Sequence, residues 1–200
     1  MANANTPFGL RPLEYLSGAK YNGQVRMYCI PNSDDTNVYA VGDPVTLAGG
    51  ADANGVATVT LMTPGSGLIG VIVGAGVGGV YGGASVDPNQ NQLTVVPATK
   101  NRDYYVLVAD DPSIIFEVQE IGTGTQLTAA EVGLNVNLVS GTNNGYVSGW
   151  LLTNTTETTT ITLDCKLLGL VQRRDNAFGA YAKWKVLLNN HLYRGGAVGV

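Results

Sequence analysis

The sequence predicts an all-β protein: an antiparallel β-sandwich or barrel, jelly-roll-like, with an extended N-terminal arm. Three observations carry this prediction. Short segments that alternate apolar and polar side chains run through most of the chain. Turn residues separate them, including Asn54-Gly55, a strong hairpin signal. Only one short stretch carries a helix signal. The 27 glycines among 200 residues fit many short strands joined by tight turns.

Residues 1–23 show neither period and are punctuated by Pro7, Gly9, Pro12, Gly18 and Gly23. They also carry Phe8, Leu10, Leu13, Tyr15, Leu16 and Tyr21, too many large apolar side chains for a free tail. This reads as an arm lying on its own domain or on a neighbour, removable without unfolding the rest. Residues 24–194 read as a single β domain and 195–200 as a flexible tail.

Within the domain, "QVRMYCI" alternates, with Val25, Met27 and Cys29 on one face. "NVYAVGDPVTLAG" is a strand interrupted at Gly42-Asp43-Pro44, where proline suits an edge or a bulge. "ADANG" and "TPGSG" are turns flanking "VATVTLM". "LIGVIV", "QLTVVPA", "YYVLVA", "IIFEVQ", "LNVNLV" and "GYVSGWLL" continue the pattern. Thr128-Ala129-Ala130-Glu131 is a capping box, with Gly133 a natural stop. In "TTTITLDCKLLGLV", Ile161, Leu163, Cys165 and Leu167 face one way, and Thr162, Asp164 and Lys166 the other. In "AKWKVLL", Ala182, Trp184, Val186 and Leu188 oppose Lys183 and Lys185.

Composition narrows the function. Hydrophobic residues make up 44 % of the chain and charged residues 13 %, about half the usual share. Such a surface suits a protein covered by neighbours. The net charge of −4 disfavours nonspecific binding to nucleic acid. Lys166, Arg173, Arg174, Lys183, Lys185 and Arg194 nevertheless gather most of the basic residues near the C-terminus, as a contact face for an acidic protein partner or a solvated strand face. Cys29 and Cys165 match no metal spacing, and the opening residues lack the apolar core of a secretion signal. Both cysteines are expected as buried free thiols in an intracellular product.

The stretch "GLIGVIVGAGVGGVYGG" satisfies G-x-G-x-x-G at Gly74-Ala75-Gly76-Val77-Gly78-Gly79. A dinucleotide turn needs a helix behind those glycines, and Gly82, Gly83 and Pro88 forbid one of useful length. No charge occurs between Asp52 and Asp87, but Pro64, the glycine density and the acidic flanks argue against a membrane span. The expected structure is a buried strand followed by a compact loop around Tyr81.

No cofactor, metal or catalytic motif stands out. His191, the single histidine, sits beside asparagines at a strand end. Asp34-Asp35 and Asp110-Asp111 read as turn-capping pairs, with calcium the functional alternative. Tyr104-Tyr105, Trp150 and Trp184 suit packing more than a sugar groove.

Three segments resemble small structural proteins of tailed-bacteriophage heads, the cement or decoration proteins. They are "NVYAVGDPVTLAGG" with "GLIGVIVG", then "YYVLVADDPSIIFEVQE", then "LLGLVQRRDNAFGAYAKWKVLLNNHLYRGG". The opening "TPFGLRPLEYLSG" is similar too. The segments cover about half the chain in matching order; Arg174 stands where the family pattern has proline. The resemblance implies a non-enzymatic virion protein, made in the bacterial host cytoplasm. It would bind the outer capsid surface and bridge neighbouring major capsid subunits. The implied state is a homo-oligomer, a trimer before a dimer, with no cofactor, nucleic-acid or membrane partner. Phe8, Leu10, Leu13 and Tyr15 of the arm, and Arg173, Arg174, Lys183 and Trp184, are the expected contacts. A carbohydrate-binding or glycan-hydrolysing tail-spike module, or another head or tail joining protein, is the alternative.

Overall fold

A computed structural model describes residues 3–75 and 94–194. Its strands, in chain order, are β1 (Leu10–Tyr15), β2 (Arg26–Ile30), β3 (Tyr39–Ala40), β4 (Pro44–Ala51), β5 (Ala57–Leu61), β6 (Gly70–Ala75) and β7 (Val95–Val96). They continue as β8 (Tyr104–Ala109), β9 (Ile114–Gln119), β10 (Asn135–Val136), β11 (Leu138–Val139), β12 (Leu151–Leu152), β13 (Cys165–Leu170) and β14 (Lys183–Leu188). The protein is all-β. The helical element among the described residues is a single 3-10 turn at Ala129–Glu131, with Thr128 and Glu131 forming the expected capping box. No helix there is long and apolar enough to cross a membrane. The glycine-rich loop around Tyr81 and the tail 195–200 lie outside the described residues.

Ten of the strands build two units with separate cores, and β3 with β7 and β11 with β12 form two-stranded sheets beside them. The first is a closed barrel in the order β2-β5-β4-β6-β8, antiparallel except where β2 meets β5 at Cys29 and Thr58. The β4–β5 hairpin turns on Asp52, whose carboxylate accepts the N–H groups of Asn54 and Val56 at 2.8 Å each. Pro44 opens β4, so its missing N–H breaks no central ladder. Tyr28, Ile30, Val45, Val59, Ile72, Val106 and Val108 fill the interior. On β2 this reverses the expected face: Tyr28 and Ile30, not Val25 and Met27, join the core. A tyrosine is tolerated there because its hydroxyl donates to Asp110 at 2.7 Å. Cys29 is buried as well, as is Cys165, and both are free thiols.

The second unit is an antiparallel sheet in the order β1-β9-β14-β13-β10. Register makes its inner rows Leu10–Val118–Trp184–Leu170, Pro12–Phe116–Val186–Leu167 and Tyr15–Ile114–Leu188–Cys165. On β14 the alternation is as the sequence predicts, with Ala182, Trp184, Val186 and Leu188 in the core. Ahead of β13 it is not. The strand starts only at Cys165, Ile161 is 80 % exposed, and Asp164 is fully buried. The chain turns there because the Asp164 carboxylate accepts the N–H groups of Gly65, at 2.9 Å, and Leu138, at 2.8 Å. Those bonds hold it inside the fold.

The N-terminal segment corrects the expectation of an extended arm. Residues 10–15 are strand β1, paired with β9 and bulged at Leu13. The outer edge of β1 is closed by its own continuation: Tyr15 N–H donates to Ala19, and Tyr21 N–H to Leu13. Just before β1 the chain makes a tight crossing. Leu10 N–H donates to Gly42 at 2.9 Å, Gly42 N–H to Ile72 at 2.8 Å, and Ser148 N–H to Val41 at 2.9 Å. Gly9 and Gly42 have φ of +67° and +97°, and a Cβ on Gly9 would sit 2.3 Å from the Gly42 oxygen. Side chains are excluded twice, by backbone conformation and by space.

Gly9→Ala is therefore expected to destabilise the protein by about 3 kcal/mol or more, the sum of left-handed strain and a forced separation of packed segments. Gly18→Ala is the control: its φ of +87° is also left-handed, but its Cβ meets nothing within 4 Å. It should lose only about 1–2 kcal/mol. Urea denaturation of both variants measures the difference.

Candidate functional site

The outer face of the five-stranded sheet carries the charged cluster. With Leu10, Trp184 and Val186 turned inward, alternation turns Arg11, Glu117 and Lys185 outward in one row, and Glu14, Ile115, Leu187 and Lys166 in the next. Glu117 is almost fully buried between two guanidinium groups, Arg11 at 3.0 Å and Arg173 at 2.8 Å. Arg173 also reaches Asp175 at 3.2 Å. Glu14 is bound by Lys185 and Lys20 at 2.6 Å each. These hydrogen bonds, Lys185 first, pull its carboxyl down to about 2.

The β13–β14 connection, residues 171–182, borders this face and is held on two sides. The Asn176 side chain donates to the carbonyls of Val171 and Lys183, each at 2.8 Å, and accepts Lys183 N–H at 2.8 Å. It stands in for missing ladder bonds across the hairpin. Asn3, from the N-terminal segment, donates to Ala177 and Ala180 and accepts Ala177 N–H. The held loop presents Phe178, 51 % exposed, with its ring 5.7 Å from that of Trp184. Arg174 is exposed on the same loop.

The expected contact residues divide on this framework. Leu10, Tyr15 and Trp184 belong to the sheet's own core, and Lys183 is buried on the opposite face. They are corrected from contact residues to structural ones. The reason is strand pairing, which converts an apolar arm into an inward-facing row. Trp184 further donates its indole N–H to the buried Glu120 at 2.8 Å. Phe8 is half-buried, with the Arg11 guanidinium 4.6 Å from its ring centre, and Leu13 is half-buried at the bulge. Arg173 and Arg174 remain at the surface. Lys185, one of the basic group expected near the C-terminus, is on this face, and Arg11, Lys20 and Phe178 join it from outside the expected set. The alternation in "LRPLEY" was the available signal, hidden by reading that stretch as an arm.

The remaining candidates resolve into structural roles. Asp111 accepts from the Ser113 hydroxyl and N–H, which hold its carboxyl below the usual range, and it caps the β8–β9 turn. Asp34 accepts from Asn37 and Tyr39. Among the described residues no group of three or more histidine, cysteine or acidic side chains is gathered as for a metal. Trp150 and Trp184 are buried in the sheet's core, while Tyr104 and Tyr105 lie on the barrel strand β8, so they line no common groove. His191 is buried, its Nδ1 accepting from Tyr193 N–H at 3.0 Å, and burial pushes it down to about 4.

Compared with protein-family models, curated proteins and solved structures, the chain matches none.

Two buried groups act in opposite directions on stability. Burial raises Asp164 to about 6, so its proton favours the native state at low pH, and that stability is lost as pH rises from about 4 through 6. Burial lowers His191 to about 4, so its neutral form favours the native state, and that stability is lost as pH falls from about 6.5 through 4. The two slopes oppose one another in one window. Relative to wild type, Asp164→Asn should add a slope of stability rising with pH between about 4 and 6.5, and His191→Gln a falling one. Urea titrations at fixed pH values measure both difference curves; parallel curves would contradict the assignment.

Proposed function

We propose that this chain is a structural virion protein. It binds the outer surface of an assembled phage capsid and bridges neighbouring major capsid subunits as a homo-oligomer, a trimer in preference to a dimer. The role needs no cofactor and no catalytic group. The resemblance of three segments and the opening to head cement proteins supports the reading, as does the low charge content. The observation that carries it is the held loop 171–182. A half-exposed phenylalanine and an exposed arginine on a doubly anchored support have the composition of an interface hot spot, with little ordering entropy left to lose on binding.

Bridging accounts for preference for the assembled shell. One oligomer presents several copies of the loop, and each contact can be weak. Linked contacts raise avidity over single-site affinity by about 10²–10⁴ when the lattice supplies the spacing. A free capsid subunit offers one contact.

Full-length protein is expected to co-sediment with assembled heads far better than with unassembled subunits. The paired substitution Phe178→Ala with Arg174→Glu should lower head occupancy at least tenfold, with the far-ultraviolet circular dichroism spectrum of the folded protein retained. Heads without the protein should release DNA at lower temperature. Equal binding to heads and free subunits would reject the bridging mechanism. Removing residues 2–16, in contrast, deletes strand β1 together with Leu10 and Tyr15, so circular dichroism should report loss of the sheet and not a folded remainder.

A further inference from the structure

Charge is unequally divided between the two units. Around the outer face of the sheet stand six cations, Arg11, Lys20, Lys166, Arg173, Lys185 and the buried Lys183, against the three carboxylates Glu14, Glu117 and Asp175. All three carboxylates are already bound by those cations, so the face has a positive excess in a chain of net charge −4. Arg11 and Lys20 are 54 % and 81 % exposed, and the exposed Arg174 lies alongside.

One end of the barrel has the opposite excess. Two loops meet there, 31–38 and 97–103, joined by the Asn32 N–H donating to Asp103 at 2.9 Å. They carry Asp34, Asp35 and Asp103. Two cations stand against these three. Arg102 lies over the Tyr104 ring, and Lys100 is turned inward, its ammonium donating to the carbonyls of Asp34, Asn37 and Ala98. With Lys100 withdrawn from the surface, Asp35 and Asp103 are exposed beside one remaining arginine.

We propose that the basic outer face of the five-stranded sheet docks on the acidic barrel end of a second copy of this chain. The two surfaces differ, so the contact is head-to-tail, and repetition closes it into a ring. The proposal builds on the oligomer put forward above and names its surfaces; it does not depend on capsid binding. A nucleic-acid backbone is the less suitable occupant. Most of the positive charge of the face is neutralised internally by Glu117 and Glu14, leaving too small an excess for many phosphate contacts. A few carboxylates match it. Charge complementarity of this kind selects the partner surface and the register more than it sets affinity.

The test is sedimentation velocity on the purified full-length protein and on two single charge reversals, the half-buried Lys166→Glu on the face and the exposed Asp35→Lys on the barrel end. Wild type is expected to form a closed oligomer in about 0.01 M salt and to dissociate towards monomer in about 1 M salt, as the screening length falls from about 30 Å to about 3 Å. Each reversal should weaken self-association about tenfold or more, with unchanged melting. The double variant should regain most of it, because the reversed face then meets a reversed end. A chain that stays monomeric in low salt overturns both this proposal and the oligomer. An oligomer unaffected by salt and by either reversal overturns the named surfaces while leaving the oligomer intact. Loss of binding to short duplex DNA by Lys166→Glu, with self-association unchanged, would assign the face to nucleic acid and overturn the proposal.

Discussion

The structure depends on a backbone crossing in which side chains have no room. Phe8-Gly9-Leu10 passes between Gly42 of the barrel unit and Ser148, in the connection ahead of β12, with the Gly42 carbonyl accepting Leu10 N–H and Val41 accepting Ser148 N–H. Chain segments far apart in sequence are thereby fixed at van der Waals distance. Everything downstream of the crossing follows from it. Leu10 enters the sheet core, β1 aligns on β9, and Arg11 is turned outward to reach Glu117. A larger residue at position 9 would push β1 away from the barrel unit and loosen both cores together. Glycine is required there for contact, beyond the ordinary demands of a turn.

Elsewhere the units and loops are joined by buried carboxylates, in a chain whose two thiols remain free. Asp164 binds the backbone N–H groups of Gly65 and Leu138. Glu120 binds Leu127 N–H, the Asn154 amide and the Trp184 indole. Asp43 binds Ala40 N–H beside the crossing. Burial raises the pKa of all three, so each carboxylate is held against its desolvation by the donors around it. The arrangement is directional in a way that apolar packing is not. Each acid fixes where a loop must return, and a protein with little helix and many irregular connections needs such fixed points.

The surfaces follow from the same economy of charge. With so few ionisable groups, and with several of the acids buried as pins, cations outnumber carboxylates on the outer face of the sheet, and carboxylates outnumber cations on loops 31–38 and 97–103. The loop 171–182 between β13 and β14 presents an aromatic side chain, Phe178, beside the inward-facing Trp184. Asn176 and Asn3 make that loop rigid by replacing ladder bonds with side-chain amides.

The sequence alone was enough for the all-β class, the Asp52 hairpin, the Thr128–Glu131 capping box and the inward row of β14, because each rests on neighbours within a few residues. Alternation sets a face, an Asn-Gly pair sets a turn, and a threonine three residues before a glutamate sets a cap. The β1 strand was not legible. Pro12 lies inside it and Pro7 and Gly9 just ahead of it, and it forms only because β9, a hundred residues later, offers a partner and Gly42 offers space. The inner face of β2 was misread for a similar reason: Tyr28 belongs inside only because Asp110 is there to receive its hydroxyl. Asp164 looked like a surface residue until Gly65 and Leu138 came to it. Local periodicity reports which side chains share a face; only the tertiary structure decides which face is covered, because covering requires a partner that the local sequence does not contain.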